Sequence, residues 1–555
     1  MTATTQPDLA LGYDSGSGSP RDYRAVRWNE PLVFALSEPG QRGIGVPSAS
    51  PAMLAALRGA AETDPDLLRT TPPALPEVAQ PQVLRHYLRL SQETLGADMN
   101  VDIGQGTCTM KYSPKINERF VRSSAAADLH PLQPDRTLQG ALQILHDLQA
   151  YLAEISGMDA VCLQPGAGSA AIFTNVKLVQ AAQAARGQGH RDEVVTTIFS
   201  HPSNAAAAKT AGYRVTTLFP DADGYPDLDA LRAALGPRTA ALFITNPEDT
   251  GIFNPRIAEF VEAAHAAGAL CVYDQANANG LLGVTRAREA GFDLCHFNLH
   301  KTFSTPHACG GPAAGAVCVT AELEPFLPAP RVVADTDGFR LDHSGPHRIA
   351  AVRPFHGVMP NLIRAYAWIR ALGAEGLREV ADIAVLNNNY LMSEILRIPG
   401  VSVPYADGHR RIEQTRYSWA ELTAETGVTS GEIGRRLADF GLHYWTSHHP
   451  YVVPEPATLE PTESYSRKEL DEYVAALRAT VAEARVDPAH LRSAPHRSSV
   501  HQIDHDAMND PGTWSPTWRA YCRKHLGRTP PPDVPHWEPD DSAPEPPRLP
   551  RAHHR

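Results

Sequence analysis

The sequence predicts an α/β fold with a large domain, built on a mostly parallel mixed sheet between helical layers, and a smaller C-terminal α/β domain. Three observations predict it. Short apolar runs of strand length alternate with runs of helical spacing from about residue 138 to 319. At 555 residues and 43% hydrophobic content the chain is long and apolar enough for two domains. The region 340–500 then mixes long helical runs with short strands, as a smaller lobe does.

Taken in order, residues 1–27 are polar and contain Gly and Ser, so disorder is expected until about Trp28. Residues 28–135 form an N-terminal extension expected to pack on the core, with spacers at Pro72, Pro73 and Pro76. The large domain is placed at 136–335. It opens with Leu138, Ala141, Leu142, Leu145, Leu148, Leu152 and Ile155 at helical spacing, and Gly157 ends that helix. A strand at 160–164 leads into Pro165, Gly166, Ala167, Gly168 and Ser169 and then a helix. Further strands are expected at 194–199, 214–219, 240–245, 269–274, 294–298 and 315–319, with helices at 226–235 and 255–267 between the earlier ones. Such alternation favours parallel strands covered on both faces. The small domain is placed at 336–500, with helices at 360–372 and 466–485. Residues 501–555 read as an extended tail, disordered from about 528, where Pro530, Pro531 and Pro532 begin a stretch almost without apolar residues.

Composition excludes several classes. A net charge of −12 argues against nucleic acid or an anionic membrane as partner. No run of about 18 apolar residues suggests a transmembrane helix. The start lacks the apolar stretch of a secretory signal, so the expected location is cytoplasmic. The seven cysteines form no C-x-x-C pair and read as small buried residues of a reducing compartment. The adjacent pairs His448, His449 and His553, His554 make poor metal sites, and no metal is expected.

In open α/β sheets ligands gather at the carboxyl ends of strands, and three loops there carry chemistry. The first is the small-residue turn whose Gly168 and Ser169 start a helix. Backbone N–H groups and the Ser169 hydroxyl at that point suit a phosphate, although tight turns of this composition are common without a ligand. The second places Asp274 at a strand end, followed by Asn277. A carboxylate in an apolar setting needs a cation, unless it is an ordinary capping Asp. The third holds Lys301, flanked by His300 and Thr302. A strand-end lysine is usually unremarkable, but paired with Asp274 it matches what pyridoxal phosphate (PLP) requires. The amine bonds the aldehyde, and the carboxylate keeps the pyridine nitrogen protonated. His300 and Thr302 stand where they would reach the phosphate or the linkage, and Asn246 or Asn277 the ring hydroxyl.

The run Asn298-Leu299-His300-Lys301-Thr302-Phe303-Ser304-Thr305-Pro306-His307 resembles the lysine segment of glycine dehydrogenase (decarboxylating), the glycine-cleavage P-protein, in its subunit 2 form. Similar segments lie at 36–43, 85–91, 106–118, 129–134, 139–141 and 459–463, so the resemblance spans about residues 30–500. It implies the type I PLP fold, shared with aspartate aminotransferase, Lys301 as the covalent lysine and Asp274 as the pyridine partner. In the family glycine loses carbon dioxide and its aminomethyl group passes to the lipoyl arm of a carrier protein. A subunit 1-like partner and a homodimer are implied as well. His201 and His307 match family positions in the pocket. Cys108 and Lys111 lie in a family signature near it and, with His307, are candidate substrate residues; the competing readings are a buried structural thiol for Cys108 and, for Lys111, a solvated lysine or one that binds phosphate or a substrate carboxylate.

The chain departs from the family pattern at Ala170 and Ala171, at Pro202 and Ala205, at Gln275, and at Ala308 and Cys309. The cofactor anchors persist while the wall around them changes. Two catalytic readings follow: glycine decarboxylation, or a diverged specialised-metabolism enzyme that uses the PLP-stabilised carbanion on another amino acid or acceptor for C–C bond formation or side-chain replacement. A third, a non-catalytic partner subunit, gives no reason to keep Lys301 and Asp274. Arg416 suits a substrate carboxylate, but the sequence does not single it out from its neighbours.

Overall fold

The strands expected from apolar runs assemble into one seven-stranded sheet in the computed structural model. The model describes residues 20, 23, 25–45, 47–60, 75–95, 99–104, 109, 111–307, 313–405, 410–444, 452–499, 502–525 and 527. Its strands are β1 (Ala160–Cys162), β2 (Glu193–Thr197), β3 (Arg214–Leu218), β4 (Thr239–Thr245), β5 (Leu270–Gln275), β6 (Leu294–Asn298) and β7 (Gly315–Val319). They lie in the order β1-β7-β6-β5-β4-β2-β3. The β3, β2, β4, β5 and β6 neighbours run parallel, and β7 pairs antiparallel with both β6 and β1. The mostly parallel mixed sheet is therefore as expected, with strand ends shifted by one or two residues.

Both faces of the sheet are dry because successive side chains point to opposite sides. Leu242 and Ile244 join one apolar cluster with the helix Gln139–Ser156. Ala241 and Phe243 join the other with the helix Gly168–Ala185. Helix Gln139–Ser156 buries Leu142, Leu145, Leu148 and Leu152, and stops where Gly157 takes φ of 72°. Leu242 is wholly buried in a central strand. Leu242→Ala is expected to cost about 2–5 kcal/mol, read as a fall in the urea midpoint.

The small lobe pairs β10 (Thr415–Ser418) antiparallel with β11 (Pro456–Leu459), and β8 (Arg331–Asp335) pairs with β9 (Gly338–Asp342) before it. Tyr417, Trp419, Leu459 and Tyr473 form its core. Sequence periodicity placed a helix at 360–372. The structure interrupts it at Gly373, whose φ is 65°, and continues it to give Met359–Ile395. The continuation buries Leu377, Val380 and Ala381 in the large core, and Leu391 and Ile395 in the small one.

The chain divides into two units, one of residues 1–24 and 95–498, the other of 25–94 and 499–555. In the second unit Glu30 meets His86 Nδ1 at 2.9 Å and Arg89 Nη1 at 3.1 Å, and Phe34 stacks on Trp518. The stretch read as a tail carries short helices at His505–Asn509 and Trp518–His525. Residues from 528 onward lie outside the described ones. Among the described residues no helix is long and apolar enough to cross a membrane.

Candidate active site

Strand register brings the chemical groups together. Asp274 on β5 stands between Thr245 of β4 and His296 of β6. Lys301 follows β6 by one turn, its N–H bonded to Asn298 O at 3.1 Å. Asp274 is 2% exposed and Lys301 6%. Asn204 Nδ2 donates to Asp274 Oδ2 at 3.0 Å, and the Ala276 N–H to Oδ1 at 3.0 Å. Burial pushes the Asp274 carboxyl up, but the His296 and His201 rings, the Ala276 N–H and the Asn204 amide outweigh it and hold it below the ordinary range. Burial in turn lowers His296, whose Nε2 lies 3.3 Å from Asp274 Oδ1. Asp274 is the ionised member of this buried pair, because its oxygens carry donors while both His296 nitrogens are buried without hydrogen-bond partners among the described residues. The carboxylate thus faces a place that a cation would complete.

The small-residue loop leads directly into a helix, as its sequence suggests. Ala167 caps the helix Gly168–Ala185 without a side-chain hydrogen bond, which leaves its first N–H groups for a ligand. Gly168 passes so close to Asn298 that a Cβ there would lie 2.6 Å from its amide. Asn298 Oδ1 is buried without a hydrogen-bond partner. Gly168→Ala is therefore expected to displace Asn298 and weaken phosphate binding at least about tenfold, measured by titrating the protein with PLP. Ser169 is exposed beside this loop.

Other expected site residues are held by the fold. His201 caps the helix Pro202–Thr210, its Nδ1 accepting from the Ser203 N–H at 3.1 Å, and its ring acts on Asp274. His300 Nδ1 meets Ala314 O at 2.8 Å, and its ring lies 4.9 Å from that of His307. Burial drives His300 down to about 3 and lowers His307 as well, so both rings are neutral. Thr302 Oγ1 accepts from the Ala278 N–H at 2.9 Å, which ties the Lys301 loop to the Asp274 loop. Asn246 uses its amide on Asn254, accepting from N–H at 2.8 Å and donating to O at 3.2 Å. Asn277 donates to Glu460 Oε1 and accepts from Asn279. Lys111 is buried, with Nζ 2.9 Å from Thr302 O, 3.1 Å from Glu463 and 4.7 Å above the Trp368 ring. It braces the lysine loop instead of standing in solvent. Cys108 lies outside the described residues.

Sequence reasoning missed Asn204, His296, Glu413 and Glu460. Asn204 stands one helical turn past His201, and His296 shares a sheet face with Asn298, so spacing offered a signal for these two. Glu413 and Glu460 lie far along the chain, and only tertiary contacts reveal them.

At the ends of β2 and β4 a polar cluster includes Arg416, which is fully buried. Its Nη2 meets Asp249 Oδ2 at 2.8 Å, its guanidinium lies 5.4 Å from the Phe199 ring centroid, and Nε and Nη1 have no hydrogen-bond partner among the described residues. Beside it burial pushes Glu248 up to about 8, against a hydrogen bond from Thr197. From about pH 4.5 to about 8 the folded chain holds a proton that the unfolded chain has released, so this group's contribution to stability falls as pH rises. Glu248→Gln is expected to flatten that slope in urea midpoints taken at about pH 5 and about pH 8.

The chain is similar to known proteins. The Aminotransferase class-V family matches residues 168–404, and the Glycine dehydrogenase, C-terminal domain family matches residues 380–496. The chain is 42% identical over 484 residues to a probable glycine dehydrogenase (decarboxylating) subunit 2 of Pyrococcus horikoshii, covering 87% of this chain and 95% of that one. It is 41% identical over 478 residues to the protein of the same name in Halalkalibacterium halodurans, covering 86% and 96%. A crystal structure of glycine decarboxylase (P-protein) of the glycine cleavage system, inhibitor-bound, superposes with a TM-score of 0.66 at 22% identity, covering 80% of this chain and all of that one.

Proposed function

Because the chain belongs to the glycine dehydrogenase (decarboxylating) subunit 2 family, a family of PLP enzymes, we propose that it decarboxylates glycine and hands the aminomethyl group to a lipoyl carrier protein. The observation that carries this reading is the buried, ionised Asp274 that faces no Lys or Arg ion-pair partner among the described residues while Lys301 is buried in the adjoining loop. PLP, when bound, supplies an aldehyde for an amine and a cationic ring that takes up the electron pair of the broken bond. Lys301 contributes the amine that tethers it. Asp274 keeps the ring nitrogen protonated, and Asn204 and Ala276 keep Asp274 in place. The start of helix Gly168–Ala185, with Ser169, receives the phosphate. His201 and the neutral His300 and His307 wall the site, and Thr302 and Lys111 hold the lysine loop against the Asn277 segment. Asn246 shapes the β4 end. On the same reading the protein is cytoplasmic, forms a homodimer and works with a subunit 1 partner.

Exchange of the glycine carboxyl carbon with labelled bicarbonate tests it, using the chain with its subunit 1 partner and lipoyl carrier. Exchange at a rate typical of the family is expected, and its absence from fully loaded protein would overturn the reading.

Arg416 favours a second reading. Two guanidinium nitrogens, buried without a hydrogen-bond partner among the described residues, suit a carboxylate that is retained, not one that departs. On that reading the enzyme acts on another amino acid. Spectral titration with a panel of amino acids, followed by mass analysis of the products, separates the two.

A further inference from the structure

The small lobe delivers two carboxyl groups to the 277–280 loop, which Thr302 ties to the Lys301 loop. Glu413 lies two residues before β10 and Glu460 directly after β11, and they are 1% and 2% exposed. Glu460 Oε1 is fully engaged: Thr109 Oγ1 donates at 2.6 Å, Asn279 Nδ2 at 3.1 Å, and Asn277 Nδ2 donates as well. By contrast Glu460 Oε2 and Glu413 Oε2 are buried without a hydrogen-bond partner. The backbone makes room for this pair, since a Cβ at Gly280 would lie 3.0 Å from Glu413 Oε2 and 2.3 Å from Ile412 Cγ2.

Among the described residues few charged groups bear on the pair. Lys301 acts on both carboxyls, and Glu460 acts on Glu413. Lys111 also feels Glu460, but its ammonium is held by Glu463. Burial pushes Glu460 up to about 7, against Lys301 and the three side-chain donors. Burial, then repulsion from Glu460, raises Glu413 well above the usual carboxylate range. Two nearby carboxyls away from water do not both ionise readily. An acid whose Oε1 is fixed by three donors and whose Oε2 is open presents that second oxygen in one direction.

We propose that Glu413 and Glu460 hold one proton between them at neutral pH, and that Glu460 Oε2 is the base that deprotonates the ammonium of an incoming amino acid. The step moves a proton and no electrons. An N–H bond of the ammonium breaks with its electron pair left on nitrogen, an O–H bond forms at Glu460, and the proton returns to the product amine. That the substrate is an amino acid attacking at Lys301 rests on the function proposed above. The proton-sharing pair does not rest on it.

Infrared titration of cofactor-free protein reads the pair directly. Besides the protonated-carboxyl absorption of Glu248, which both proteins share, the wild type is expected to show a band that titrates with a midpoint near 7 and that drops out of the Glu460→Gln spectrum. No such band in the wild type, or its persistence in E460Q, overturns the proposal. In loaded enzyme E460Q is expected to lose about 10²- to 10⁴-fold in kcat/KM at neutral pH. Its remaining activity should keep rising about tenfold per pH unit above neutrality, while the wild type levels off. Glu460→Asp keeps a carboxyl and is expected to restore the band and part of the rate. Restoration of the band without any rate overturns the role as base. Should the wild type bind no PLP, the function proposed above falls while the infrared result still decides the pair. Should PLP bind and E460Q keep the wild-type pH profile, the base role alone falls.

Discussion

Lys301→Ala is expected to lower activity by at least about 10⁴-fold, because it removes the buried amine of the loop beside Asp274 that would tether the cofactor. The nearest alternative, Lys111, is spoken for by Glu463, Thr302 O and the Trp368 face. Its pKa is lowered, chiefly by burial, yet its ammonium already has an anion and an acceptor. The loss should appear in kcat while the protein stays folded, since the Lys301 ammonium donates no hydrogen bond to another described residue and its backbone N–H contact to Asn298 persists in the variant. The check is steady-state kinetics alongside circular dichroism. Activity within tenfold of the wild type would place the covalent chemistry elsewhere.

The second large effect is expected at Asp274. Asp274→Asn removes one partner of a buried charge pair in the loaded enzyme and leaves the ring nitrogen unpaired, a loss of about 3–5 kcal/mol. That corresponds to a fall of about a hundred- to several thousandfold in PLP affinity. The same substitution keeps the shape that Asn204 and the Ala276 N–H contact, so the cofactor-free protein should unfold close to the wild-type midpoint. Cofactor titration by fluorescence, paired with urea unfolding, checks both halves. Unaltered affinity would mean that the ring nitrogen does not meet Asp274.

The sequence showed much of this because parallel sheets announce themselves through apolar runs separated by helical periods. The six strands expected after 160–164 correspond to β2 through β7, and β6 and β7 fall on the expected residues. Lys301 and Asp274 were legible for a related reason: both follow such runs, and strand ends in this architecture converge. Asn277 and Thr302 were legible as neighbours, but not in their contacts. One is bound to Glu460, from 183 residues away, and the other ties Ala278. Asn246 looked free at a strand end, yet its amide closes a turn onto Asn254. The long helix Met359–Ile395 was read only to its interruption, because a glycine at φ 65° breaks the local period while packing in two cores resumes it. Glu460 lay within the family-like segment 459–463 but carried no role there, and Glu413 was invisible. Nothing local marks a glutamate whose surroundings are supplied by Thr109, Asn277 and Asn279.

The most direct measurement is borohydride reduction of the PLP-loaded protein followed by peptide mapping with mass spectrometry. The account predicts a single pyridoxyl group, on the peptide containing Lys301, with its yield collapsing in Asp274→Asn at limiting cofactor. A pyridoxyl group on Lys111 or any other lysine, or none at saturating cofactor, would contradict it.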